Sequence, residues 1–178
     1  LAAAWRQSRM SELGRGLDVL ALETEFSGVV RIDHGDRIEL TRAYGLAHRG
    51  FEIPNALDTR FGLASGAKGF TALAVVSLIE EGVLELSTPA RSVLGRDLPL
   101  IDDRVTVEHL LSHRSGIGDY LDEEAVELED YVMPVPVHEL ATTEDYLAVL
   151  DGHSSTVAPG ERFAYCNGGF VVLALIAE

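Results

Sequence analysis

Apolar positions along this chain change period three times, and each change predicts a different element. Met10, Leu13, Leu17, Leu20 and Ala21 recur at i+3 and i+4 spacing, which predicts an amphipathic helix from about Ser8 to Glu25 that packs on a sheet. Ser27 to Asp33 (SGVVRID) and Arg37 to Tyr44 (RIELTRAY) then read as two strands around the turn His34-Gly35-Asp36, a hairpin. Gly45 to Thr59, which contains Pro54 and Asn55, reads as a loop.

From Ser65 onward, Phe70, Leu73, Ala74, Val75, Val76, Leu78 and Ile79 cover nearly every azimuth of a helix, so this helix is expected to be buried on most sides. Glu80 and Glu81 reach its surface, and Gly82 stands at C′. Beyond it, LELSTPARSVLG reads as a loop around Pro89 with a short helix, and Leu98 to Asp103 as another loop. Thr106 is a suitable N-cap for a short helix through Ser112. Thr142 or Thr143 caps a helix through about Leu150, and Gly168 to Glu178 has uninterrupted helical character.

Composition places the chain among globular proteins: 47% of its 178 residues are hydrophobic and 24% charged. With 29 acidic against 14 basic residues the net charge is −15, which argues against nucleic acid or an anionic membrane surface as partner. No run approaches the roughly 18 uncharged apolar residues of a membrane span. Ala2-Ala3-Ala4 has no basic or apolar signal region ahead of it, so the expectation is a cytoplasmic protein, with a secreted or periplasmic one as the alternative. The single cysteine, Cys166, excludes an internal disulfide and reads as packing. Seven of the twelve residues from Asp119 to Asp130 are acidic, which reads as a solvated loop; the functional alternative is a loop at the mouth of a site that favours cationic substrates.

The chemistry enters with the basic residues, which are thirteen arginines and one lysine. Lys68 stands three residues after Ser65, so on a helix their Cβ atoms lie roughly 5–6 Å apart on one face. An ordinary lysine, with a pKa of about 10.4, is a poor base at neutral pH, but burial among apolar groups lowers that value. Arginine cannot lose its proton in a protein at all. Ser65 also lies in the first turn, where free N–H groups and the helix dipole favour a developing oxyanion. His109 and His113, at i and i+4, could hold a metal, whereas His34 and His48 read as surface histidines.

Three segments in order resemble one family. RFGLASGAKGFTALAVVSLIEEGVLEL, with its Ser-x-x-Lys, is similar over its whole length to the nucleophile helix of the serine β-lactamase and penicillin-binding-protein-like hydrolases, in particular the class C and family VIII carboxylesterase-like branch. VTVEHLLSHRSGI resembles the segment that follows there, and APGERFAYCNGGFVVLALIAE resembles the Tyr-x-Asn motif, here Tyr165-Cys166-Asn167.

The resemblance implies an α+β, β-lactamase/transpeptidase-like fold of helices plus an antiparallel sheet, with only the first two strands of that sheet present. Residues 1–178 would be the N-terminal part of a single domain, 8–60 supplying the helix and first hairpin and 61–178 the helical region. Carried over by position, Ser65 is the acylated nucleophile, Lys68 and Tyr165 are the general acid and base, and Asn167 binds substrate or orients Lys68. The segment holding His109 and His113 is scaffold, and neither metal nor organic cofactor is implied.

A third motif of Lys/His-Thr/Ser-Gly type is expected in the family and does not occur here, since Lys68 is the only lysine and no His-x-Gly follows Tyr165. A C-terminal segment or second chain is therefore expected to complete the sheet. The function read from this is a serine hydrolase forming an acyl-enzyme on a small-molecule or peptide substrate, whether ester, β-lactam or D-amino-acid peptide. The alternative is a non-catalytic fragment or binding relative that keeps the fold without the third motif.

Overall fold

A computed structural model describes residues 2–123, 126–127 and 130–178. The chain separates into two units, one ending at Gly62 and one running from Leu63 to Glu178.

In the first unit, α1 spans Ala2–Glu23, six residues longer at its start than periodicity predicted. The added turn is drawn from Ala2-Ala3-Ala4, which carry the best helix propensity and no apolar period of their own. Strands β1 (Gly28–His34) and β2 (Arg37–Tyr44) pair antiparallel from Gly28 opposite Tyr44 to His34 opposite Arg37, with a bulge between Ile32 and Asp33. Gly35, at φ 58°, makes the turn. Helix α1 lies against β2 as expected. Gly14 is buried there, and a Cβ on it would come within 3.3 Å of Arg42 Nη2. The Tyr44 hydroxyl donates to Asp18 Oδ1 at 2.8 Å.

The stretch expected to be a plain loop contains a second small antiparallel pair, β3 (Leu46–His48) with β4 (Ile53–Pro54). Two and three residues are too few to show a period of two, so the pattern could not announce them. The described residues thus hold the expected two-stranded sheet, β1–β2, and a separate additional pair, β3–β4.

The second unit is helical. A 3-10 turn at Ala64–Ala67 runs straight into α2 (Lys68–Glu80). Helix α2 ends in a Schellman motif, with Gly82 at φ 74°, Gly82 N–H donating to Ile79 O at 3.1 Å and Val83 N–H to Leu78 O at 2.9 Å. Then come α3 (Ala90–Leu94) and α4 (Val107–Leu111). Thr106 caps α4 as its sequence indicates, and His109 Nδ1 returns the contact by accepting from Thr106 N–H at 3.3 Å. The helix expected from Thr142 or Thr143 breaks into a 3-10 turn, Glu144–Tyr146, and a four-residue α5, Leu147–Leu150. There the Asp145 carboxylate accepts from the N–H groups of Ala141 and Thr142, which holds the chain in a turn. Helix α6 spans Asn167–Ala177.

The core of this unit gathers on α6, whose Phe170, Val172, Leu173 and Ile176 are buried with Val75 of α2, Ala90 and Leu94 of α3, and Val107 and Leu110 of α4. This corrects the expectation that α2 is buried on most sides. Only Val75 of α2 is fully buried, while Phe70 is 65% and Leu73 66% exposed. Helix α2 meets α6 along one stripe, with Ala72, Leu78 and Ile79 packed beside Val75, and Phe70, Leu73 and Val76 fall outside that stripe.

Candidate active site

Ser65 is presented by the 3-10 turn rather than by the α-helix itself, and it is exposed. A 3-10 turn has three residues per turn, so residues i and i+3 eclipse. Lys68, the first residue of α2, therefore stands in line with Ser65, and its Nζ donates to Ser65 Oγ at 3.0 Å. Ala64, immediately before the serine, has φ 45°, a left-handed conformation that costs a non-glycine residue about 1 kcal/mol.

Tyr165 reaches this pair from a hundred residues away, and its hydroxyl lies 2.7 Å from Ser65 Oγ. Lys68 Nζ also donates to Asn167 Oδ1 at 2.8 Å and lies 5.1 Å from the centre of the Tyr165 ring. The structure thus brings together all four sequence-predicted residues, Ser65, Lys68, Tyr165 and Asn167. Lys68 is half-buried rather than enclosed by apolar side chains.

The amide of Asn167 is fully used. Its Oδ1 faces the Lys68 ammonium, and its Nδ2 donates to Leu121 O at 3.3 Å and to Glu123 Oε1 at 2.9 Å. Its main chain is held by Asp119, whose carboxylate accepts from Asn167 N–H and, at 2.9 Å, from Gly168 N–H. These are first-turn donors of α6 that have no partner inside the helix, and a carboxylate there is favoured by the helix dipole. Cys166 adds a second cap, its Sγ accepting from Gly169 N–H at 3.2 Å. Burial pushes the Cys166 thiol up to about 12, with the nearby Asp119 charge adding to the shift, so at neutral pH it is a protonated thiol. Cys166 is buried as expected, and it also caps the helix.

The segment between α4 and the acidic run grips the loop that delivers Tyr165. Thr156 N–H donates to Gly116 O at 2.9 Å, Gly160 N–H to Arg114 O at 2.8 Å and Ala164 N–H to His113 O at 2.8 Å. The Arg114 guanidinium donates in return to Gly160 O. A Cβ on Gly116 would stand 2.3 Å from Val157 O, so this contact needs glycine. His109 and His113 each turn Nδ1 to a main-chain N–H, that of Thr106 and that of Cys166 respectively. A cavity of about 100 Å³ opens beside Tyr165, lined by Ile117, Asp119, Asp122, Thr156, Arg162, Ala164 and Cys166.

Three residues that touch the site were not legible as such. Asp119 and Glu123 sat inside a run read as a solvated loop, with a loop at the mouth of a site as the alternative, and His113 inside scaffold. The acidic run in fact divides: Asp119 caps α6 and Glu123 meets Asn167, while Glu124, Ala125, Leu128 and Glu129 lie outside the described residues. No helix among the described residues is long and apolar enough to cross a membrane.

The Beta-lactamase family profile matches residues 20–178. Penicillin-binding protein 4* of Bacillus subtilis (strain 168) is 30% identical over 176 residues, which cover 97% of this chain and 37% of that protein. Esterase EstB of Burkholderia gladioli is 38% identical over 129 residues, 69% of this chain and 33% of the esterase. Among solved structures, the penicillin binding protein from Bacillus halodurans superposes with a TM-score of 0.80 at 38% identity, covering 91% of this chain and 49% of that one. The chain therefore spans about a third of the length of the curated relatives it matches.

Proposed function

This chain belongs to the Beta-lactamase family and has its β-lactamase/transpeptidase-like fold, and from that premise we propose that it is a serine hydrolase working by acyl transfer. The observation that carries this reading is the meeting of Lys68 Nζ and the Tyr165 hydroxyl on one oxygen, Ser65 Oγ, at 3.0 and 2.7 Å. A serine hydroxyl is a weak nucleophile until an adjacent group takes its proton, and two such groups are in hydrogen-bond reach.

Ser65 Oγ attacks a substrate carbonyl and gives its proton to Lys68, acting as the amine, or to Tyr165, acting as the phenolate. The carbonyl–leaving group bond then breaks, and the same pair returns the proton to the departing alcohol or amine. Water, deprotonated by that pair, attacks the acyl-enzyme, and Ser65 recovers its proton as the acid leaves. Asn167 holds the Lys68 ammonium through Oδ1, and since its Nδ2 is already engaged, orienting Lys68 fits it better than binding the substrate amide. Esters, β-lactams and D-amino-acid peptides all present a carbonyl that such a centre acylates from. The oxyanion donor of a third motif would come from a further segment or second chain that completes the sheet.

The test is intact-protein mass after incubation with a fluorescent penicillin and, separately, a fluorophosphonate, with Ser65→Ala as control. A stoichiometric adduct on the wild type alone supports the reading. No adduct on a chain of verified mass overturns it for these 178 residues and favours a non-catalytic relative.

A further inference from the structure

His113 makes three contacts with three consecutive residues. Its carbonyl accepts from Ala164 N–H at 2.8 Å, its Nδ1 accepts from Cys166 N–H at 3.1 Å, and its ring lies 4.5 Å from the ring of Tyr165, between those two residues in sequence. Phe170 at 5.0 Å and Phe163 at 5.7 Å complete an aromatic enclosure around the imidazole. The residue holds this position at φ 53°, a strained left-handed conformation for anything but glycine or asparagine, and such strain persists only where surrounding contacts fix it.

We propose that His113 is a positioning residue for the hydrolase site: a neutral imidazole clamp that sets the Tyr165 hydroxyl on Ser65 Oγ and releases it when the ring is charged. The proposal rests on the serine-hydrolase reading for its consequence in catalysis, but the clamp itself is a statement about ring chemistry. An imidazole that accepts through Nδ1 carries its single proton on Nε2. Adding the second proton at Nδ1 sets two donors, Nδ1–H and Cys166 N–H, against each other and breaks one jaw of the clamp.

The groups facing the ring agree with a neutral resting form. Burial is the largest influence and disfavours the charge, and the Lys68 ammonium across from it acts in the same direction. Asp119 opposes both, and the net effect lowers the ring below its ordinary 6.5. Tyr165 faces it through its ring and Cys166 through its main-chain N–H, and neighbouring Arg114 is turned to the Gly160 carbonyl. Acidification therefore unseats Tyr165 below the ordinary histidine range, while Ser65 and Lys68 remain side by side in one continuous turn.

The test combines nitrogen-15 and aromatic proton–carbon NMR of the 178-residue chain with labelling kinetics. Expected are the Nε2–H tautomer at neutral pH, and Cys166 amide and Tyr165 ring signals that move with the His113 ring on acidification in the wild type but not in His113→Asn. Asparagine tolerates the left-handed backbone and keeps an acceptor near the position of Nδ1 without the titration. His113→Leu, which keeps the bulk and loses the acceptor, should lower the fluorophosphonate labelling rate roughly tenfold with little change in probe affinity. His113→Asn should recover part of that rate and lose the acid limb. A ring protonated on Nδ1 at neutral pH, or a Cys166 amide and Tyr165 ring that ignore its titration, overturns the clamp, and so does a leucine variant with wild-type rate. If the wild type is not labelled at all, the hydrolase reading fails, and the NMR arm still decides the clamp.

Discussion

Asp119 holds Asn167 by its main chain from 48 residues away: one carboxylate accepts from the N–H groups of Asn167 and Gly168 and so seats the first turn of α6. The side chain of the same asparagine binds Lys68, so the acid at a helix N-terminus is one residue removed from the candidate nucleophile's partner. Replacing Asp119 with Ala leaves two helix donors without their acceptor and removes a charge favoured by the dipole. The expected loss is about 2 kcal/mol of unfolding free energy, read from urea titration. Labelling of Ser65 should slow in the same variant, since Asn167 loses its anchor.

Lys68→Arg keeps the positive charge and the contact with Asn167 but removes any group that can be deprotonated. Labelling of Ser65 by a fluorophosphonate should fall by about 100-fold or more, the lower range for losing a general base. Normal labelling by this variant would rule out the lysine as base and leave Tyr165 as the proton acceptor. A thermal melt shows whether the loss is chemical or structural.

The Cys166 thiol, raised from its ordinary 9.0 to about 12 by burial, links stability to alkaline pH. Its folded value lies above its unfolded one, so the unfolded chain gives up the proton first. The stabilisation is complete below pH 9.0 and is lost progressively as pH rises toward about 12. Urea midpoints measured across that window should fall more steeply for the wild type than for Cys166→Ser, which keeps a cap on Gly169 at a cost of about 1 kcal/mol. A disulfide reagent at mildly alkaline pH should react with the unfolded thiol and spare the folded one.

Gly116 has φ 65° and no room for a methyl group, with Val157 O at 2.3 Å from a Cβ. Gly116→Ala should cost about 2 kcal/mol or more, from left-handed strain plus a clash with backbone that cannot retreat. Because the contact fixes the loop leading to Tyr165, proteolysis between residues 151 and 164 should accelerate in this variant.

Local chemistry was legible in the amino-acid order because it depends on backbone spacing alone. Ser65 and Lys68 are three residues apart in any right-handed turn, Thr106 caps α4 through its own next turn, and the β1–β2 hairpin closes over Gly35. The fold class and the Tyr165-Cys166-Asn167 segment were also readable, through resemblance, before any contact was seen. What tertiary structure decided is which distant groups those residues meet. Nothing in an acidic run distinguishes Asp119, which seats α6, from carboxylates that face water, and nothing in a histidine marks His113 as the residue beneath Tyr165. Periodicity likewise overstated the burial of α2, because apolar residues around a helix state what could be covered, and only packing against α6 fixes which of them is. Sequence sets distances within a turn, but contacts across 48 or 100 residues exist only once the chain has folded on its core.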